Sequence, residues 1–249
     1  MRRLFLLNTT IKKARNMKEP EVFIAQKLLE LKAVKLQPNN PFEWNTGWLA
    51  PMYFDSRKIL SYRLRNIIKA ELACLVAEHF PTAEAIAAVA PNAIAIGALV
   101  ADVLNLPFLY VSPEPKNHGF ENRIEGDIKI HQKVVIIADQ ISWGGSSISV
   151  QEALQQDGAD VVGLVSLLNY EFEASIRAIQ KARLDFVALT SYTALIDKAF
   201  EMGNISKSEA EIIRLWHANP EKWSPAPAKR TVKSTKVTPK KKPTNKTKK

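Results

Sequence analysis

Apolar residues recur along the chain with two distinct periods. Residues 22–33 place Phe23, Ile24, Leu28, Leu29 and Leu31 at the 3.6-residue spacing of a helix. Residues 37–57 are aromatic and turn-rich, with Pro38, Pro41, Gly47 and Pro51, and their Tyr53 and Phe54 predict a short strand or hairpin. Residues 61–80 read as a long amphipathic helix. From Ala85 onward, short apolar runs alternate with helical stretches. Strands are predicted over 85–90, 107–111, 134–139, 161–168 and 186–189, and helices over 92–104, 148–156 and 173–182. Further helices start at Ala194 and Ser206, the latter opened by a Ser206-x-x-Glu209 capping box.

This alternation predicts an α/β fold, a parallel sheet covered by helices on both faces. Residues 112–131 break the pattern: they are polar, contain Gly119 and Gly126, and show no period. A loop that long in a compact domain usually carries function. The chain has no internal repeat.

Composition sharpens the picture in three places. Hydrophobic residues make up 46% of the 249 positions, enough for a sizeable core. The single cysteine, Cys74, excludes an intramolecular disulfide and fits a reducing compartment; its apolar helical context predicts a packing role. Charge is uneven. The formal net charge is +10, yet residues 229–249 hold ten Lys or Arg and no acid, leaving 25 basic and 25 acidic residues elsewhere.

The expected organisation is an N-terminal extension over 1–16, with Met17 an alternative start, a domain over 17–224, and a basic disordered tail over 225–249. The tail would solubilise the chain or contact nucleic acid or another polyanion weakly, through counterion release. Leu4 to Leu7 is too short for a signal peptide, and no stretch reaches the roughly 20 apolar residues of a membrane span. A cytoplasmic protein is expected.

Candidate chemistry concentrates between Val134 and Ser147. A doubly buried strand, Val134 to Ile137, leads to Asp139 at its carboxyl end, where α/β folds bind ligands. Gly144 and Gly145 would let the backbone approach an anion. Ser146 or Ser147 would cap the following helix, whose free N–H groups favour a phosphate. An ordinary strand–turn–helix joint fits this segment taken alone.

The ordered neighbours narrow it. They are Leu28-Leu29-x-x-Lys32-Ala33-Val34, Asn40-Pro41-Phe42-x-Trp44, Gly47-Trp48 and Leu60-Ser61-Tyr62. Further on come Gly97-Ala98-Leu99-Val100-Ala101-Asp102, Pro115-Lys116-x-His118-Gly119, Ile124-Glu125-Gly126, and the pair Trp216 and Trp223. From Val22 to Trp223 the chain resembles the orotate phosphoribosyltransferases of the Bacteroidetes type.

That resemblance implies a type I phosphoribosyltransferase fold with a small hood built partly by residues 17–60. It implies transfer of phosphoribosyl from phosphoribosyl pyrophosphate to orotate, giving orotidine monophosphate and pyrophosphate in pyrimidine biosynthesis. It further implies Mg²⁺ as cofactor and a homodimer. Lys116, His118 and Asp139 would be catalytic, the first two supplying charge from a mobile loop. Ala138, Asp139, Gln140, Ile141, Ser142, Trp143, Gly144, Gly145 and Ser146, with Lys116 and His118, would bind phosphoribosyl pyrophosphate. Ser142 would also lie near orotate, and Asp139 would meet the ribose hydroxyls. No residue is assigned as a direct metal ligand. The remaining histidines, His79, His131 and His217, read as surface residues.

The chain departs from the family pattern within the site. Ala138 stands where a second acid is expected, at a cost of about 1.5–3 kcal/mol if a ribose contact is lost. Trp143 replaces a small residue, so it must point outward or fill ligand space. Pro91 and Asn92 alter the pyrophosphate loop, Ser112 replaces an arginine, and Leu49-Ala50 replaces a Lys-Ser pair. Two readings stay open: an active transferase with compensated contacts, and a degenerate non-catalytic paralogue that binds a nucleotide or phosphoribosyl ligand as a regulator.

Overall fold

The computed structural model describes residues 20–44, 47–114 and 123–223. The predicted extension, the basic tail, and Lys116 and His118 lie outside them. A helix α1 (Pro20–Glu30) comes first, followed by four short strands, β1 (Val34–Leu36), β2 (Phe42–Glu43), β3 (Leu49–Ala50) and β4 (Met52–Phe54). The expected hairpin character is present twice. β1 pairs antiparallel with β4, with Val34 opposite Phe54, and β2 pairs antiparallel with β3, with Glu43 opposite Leu49.

A 3-10 turn (Ser56–Leu60) leads into α2 (Tyr62–His79). Then β5 (Ala85–Val89), α3 (Ile94–Leu104), β6 (Phe108–Val111), β7 (Ile124–Glu125), β8 (Lys133–Ile141), α4 (Gly145–Gln156), β9 (Asp160–Asn169), α5 (Glu173–Lys181), β10 (Phe186–Ser191), α6 (Tyr192–Glu201) and α7 (Lys207–Ala218) complete the domain. The capping box that opens α7 forms in full, with Ser206 and Glu209 each satisfying the other's backbone N–H.

Six strands form the main sheet in the order β10-β9-β8-β5-β6-β7. All neighbours are parallel except β6 and β7, which are antiparallel. This is the predicted α/β architecture. Every residue of β5 is buried, as a strand covered on both faces requires. Cys74 is buried in α2, in the packing role expected. Gly163 on β9 is needed for close packing, since a Cβ there would lie 2.1 Å from the ring of Phe80.

Two expectations change. Residues 112–131 are not wholly irregular, because β7 pairs with the end of β6, Val111 opposite Ile124. Two residues are too few to show a period. β8 runs on to Ile141 because β9 continues beside it, with Gln140 opposite Leu168 and Ile141 opposite Asn169.

The order places the site. From β5 the chain moves outward to β6, then returns to put β8 on the other side of β5. The carboxyl ends of β5 and β8 therefore flank the point where strand order reverses, the crevice where open α/β sheets bind ligands.

Candidate active site

Two segments meet at that crevice: the turn after β5, with Asn92, and the end of β8, with Asp139. Asp139 is only 7% exposed. Burial raises its carboxyl above the usual range, opposed by hydrogen bonds from the Ser56 side chain, the Gln140 backbone and the Asn92 side chain. Its Oδ2 is buried without a hydrogen-bond partner. Asn92, one of the departures, therefore touches the retained acid. Ala138 is buried, with the buried Ser166 opposite it on β9.

Gln140, Ile141, Ser142, Trp143, Gly144, Gly145 and Ser146 come together with Ser147 around a cavity of about 180 Å³. Gly144 has φ 80°, the left-handed conformation that glycine adopts without strain. It is the N-cap of α4, and no side chain caps that helix. The expected caps, Ser146 and Ser147, are instead inside the helix, Ser147 buried, because Gly144 starts the helical turn earlier than the apolar pattern shows. The uncapped first turn of α4 leaves backbone N–H groups at the cradle's rim, the arrangement that suits an anion.

A second cavity of about 280 Å³ adjoins the first and shares Gln140, Ser142 and Trp143 with it. Its other lining residues are Glu43, Trp44, Tyr53, Phe54 and Tyr170. Aromatic contacts build these walls. Trp143 stacks on Phe172 and meets Trp48 edge-on, centroids 5.1 Å apart. Trp44 packs edge-on against both Tyr170 and Trp216, at 5.7 Å each, and its indole donates to the Met52 carbonyl at 3.3 Å. Of the two fates open to Trp143, it takes the second: it fills space at the boundary of both cavities. The Tyr170 phenol is pushed up by burial and by the nearby Asp139 charge, so it stays protonated.

His217 is not a surface residue. It stacks on Tyr192 at 3.9 Å, and its Nε2–H donates to the Tyr170 carbonyl at 2.6 Å. The helical position alone does not show that α7 turns this residue toward the aromatic cluster. His79 ends α2 beside Phe80, and His131 is exposed near Asp160, 3.4 Å away.

One residue absent from the sequence expectations ties the described segment ending at Glu114 to α4. Arg123 donates to the carbonyls of Ser112 at 3.0 Å, Pro113 at 2.8 Å and Ser149 at 2.9 Å, and to the Ser149 hydroxyl at 2.7 Å. The Ser112 N–H donates to the Arg123 carbonyl at 2.8 Å, so Ser112 and Arg123 are joined in both directions. Its place just before Ile124-Glu125-Gly126 is the only signal in the sequence.

No protein-family model matches the chain. The chain is 50% identical over 201 residues to an orotate phosphoribosyltransferase of Porphyromonas gingivalis, covering 80% of this chain and 96% of that protein. It is 47% identical over 208 residues to an orotate phosphoribosyltransferase of Phocaeicola vulgatus, covering 83% of this chain and 98% of that protein. The crystal structure of orotate phosphoribosyltransferase from Aeropyrum pernix superposes with a TM-score of 0.64 at 22% identity, over 74% of this chain and 99% of that one. That structural likeness speaks for the shared fold.

Proposed function

Because the chain belongs to the orotate phosphoribosyltransferase family, we propose that its two adjoining cavities are the phosphoribosyl pyrophosphate and base sites. The enzyme transfers phosphoribosyl to orotate, yielding orotidine monophosphate and pyrophosphate in pyrimidine biosynthesis. The comparisons lend no support to a non-catalytic regulator.

The observation that carries the site assignment is the shared wall. A phosphate cradle made by residues 140–147 opens beside an aromatic cavity through Gln140, Ser142 and Trp143. A sugar phosphate in the cradle would present its anomeric carbon toward a planar base in the neighbour. Gly144, Gly145 and Ser146 would hold the 5-phosphate. The reaction develops positive charge on the ribose ring as anionic pyrophosphate leaves, so placed charge is the main catalytic resource. Asp139 would meet the ribose hydroxyls, and Lys116 and His118 would approach the pyrophosphate.

Mg²⁺ fits these residues as a metal brought by the substrate. Among the described residues no group of three His, Cys, Asp or Glu could hold an ion, whereas Asp139 Oδ2 is an unpartnered oxygen donor. Mg²⁺ commonly binds through one or two carboxylates plus substrate phosphates. It would neutralise charge on the leaving pyrophosphate, with Asp139 as the protein's oxygen.

A homodimer and a cytoplasmic location belong to the same proposal, supported by the family; no helix among the described residues is long and apolar enough to cross a membrane. So does weak polyanion contact by the tail: about a fifth of this chain lies outside its match to the Porphyromonas gingivalis protein, 96% of which is covered. Spectrophotometric loss of orotate with phosphoribosyl pyrophosphate and Mg²⁺ tests the transferase. Turnover no faster than that of Asp139→Ala would overturn it.

A further inference from the structure

A third cavity, of about 450 Å³, lies between β1 and the turn that joins α6 to α7. Its polar lining is cationic and amide: Lys32, Lys35, Gln37 and Asn204. Leu29, Val34 and Leu36 add apolar surface. It shares no lining residue with the two cavities at the end of β8. The end of α1 puts the cations there. Lys32 takes φ 53°, its N–H donates to the Leu29 carbonyl and that of Ala33 to the Leu28 carbonyl. The chain turns within those residues, so β1 starts at Val34 and carries Lys35 along the same cavity.

β1 contributes backbone groups as well. Among the described residues it pairs with β4 alone, so its other side is an open edge. The Asp55 N–H donates to the Ala33 carbonyl at 2.8 Å, and the Gln37 N–H to the Pro51 carbonyl at 2.7 Å. Antiparallel strands exchange hydrogen bonds at alternate residues, so Lys35 bonds to Tyr53, while Val34 and Leu36 turn their N–H and C=O groups to the open edge. Val34 and Leu36 place side chains on one face of the strand and Lys35 on the other. All three line the cavity, which therefore follows that edge. An edge lysine commonly does no more than blunt a strand against pairing. Here two ammonium groups, two amides and a row of backbone donors and acceptors converge on a cavity large enough for a small molecule. Paired cations suit a phosphate. The amides and the strand edge suit hydroxyls and the polar rim of a ring, and the apolar surface suits its face.

We propose that the cavity between β1 and Asn204 is an effector site for a nucleoside monophosphate, with Lys32 and Lys35 receiving the phosphate. Gln37, Asn204 and the edge of β1 receive the sugar and base. Its place in the fold supplies the coupling. Lys35 pairs with Tyr53 and Val34 with Phe54, and Tyr53 and Phe54 line the aromatic cavity. A ligand that holds β1 acts on that wall through one pair of strands. The effector role rests on the aromatic cavity being the base site; the binding does not.

The test titrates adenosine monophosphate by calorimetry into wild type and into a double variant, Lys32→Gln with Lys35→Gln. Wild type should bind one more molecule per chain than the variant. The counts are two against one if the cradle also takes the nucleotide, and one against none if it does not, so the result stands apart from the transferase reading. Lys32→Arg with Lys35→Arg keeps both charges and should restore the extra molecule. Equal stoichiometry and affinity in wild type and the glutamine variant would overturn the site. Inorganic phosphate should compete at least about tenfold less well than the nucleotide, because it lacks the further contacts. Equal competition would overturn the assignment to a nucleotide. With saturating phosphoribosyl pyrophosphate, adenosine monophosphate should shift the orotate KM of wild type at least about fivefold and leave that of the glutamine variant unchanged. The same response in both proteins would overturn the effector role.

Discussion

Trp143 lies face to face with Phe172, ring centroids 4.7 Å apart and planes 18° from parallel. The contact joins the phosphate cradle to the segment after β9, and Trp48 extends it to the β2–β3 hairpin. Stacked pairs contribute about 0.5–1.5 kcal/mol beyond the area they bury. Trp143 is half-buried, so Trp143→Thr is expected to destabilise by about 1–2 kcal/mol in all, less than a fully buried tryptophan would. Urea unfolding measures this. A midpoint equal to wild type would show that the ring is not a structural clasp.

Asp139 trades stability for function. Its carboxyl is raised by burial, so the native state holds a proton more tightly than the unfolded chain. Stability from this group is therefore largest at low pH and declines as pH rises from about 4 through the native value. Asp139→Asn removes the decline. Its urea midpoint at pH 7–8 should equal or exceed that of wild type, while orotate turnover falls at least about tenfold. A variant less stable at pH 7.5 than at pH 5, relative to wild type, would contradict this.

His217 works in the opposite pH direction. Burial lowers its imidazole, partly opposed by the Tyr170 carbonyl and the charge of Glu171. A lowered base stabilises the fold above its unfolded value of about 6.5 and loses that contribution as pH falls through the native value. His217→Phe keeps a ring for stacking on Tyr192 but lacks the hydrogen bond, a deficit of about 1 kcal/mol at pH 7.5. Thermal melts should show the gap to wild type narrowing between pH 7.5 and pH 5.5. A constant gap would mean that His217 does not titrate differently on folding.

Gly163 and Phe80 occupy the same space to within a methyl group. Gly163→Ala should cost about 1–3 kcal/mol, because the ring must move from a packed position. Adding Phe80→Leu should recover part of that loss, a coupling visible in a double-mutant cycle. Strictly additive losses would place the strain elsewhere.

The basic tail should act independently of catalysis. Full-length protein is expected to bind a single-stranded oligonucleotide weakly, with affinity falling steeply as salt rises. A chain ending at Pro227 should lose that binding and keep its orotate kcat/KM. Equal affinities in a gel shift would leave the tail a solubilising extension.

By itself the sequence determined the elements that short-range physics controls. Buried parallel strands write themselves as apolar runs such as Val134 to Ile137, and amphipathic helices as 3.6-residue spacing, so the α/β alternation and the cradle after β8 were legible. Ser206 and Glu209 stood close enough in the chain to be seen as a capping pair. What only the tertiary structure decided depends on residues far apart in sequence. It turned His217 onto Tyr192, used Arg123 to tie Ser112 and Pro113 to Ser149, and brought Asn92 to Asp139 across the reversal of strand order. It also decided which way Trp143 points. A ring at a loop position has no period to betray its direction, and only the facing surfaces of Trp48 and Phe172 select it.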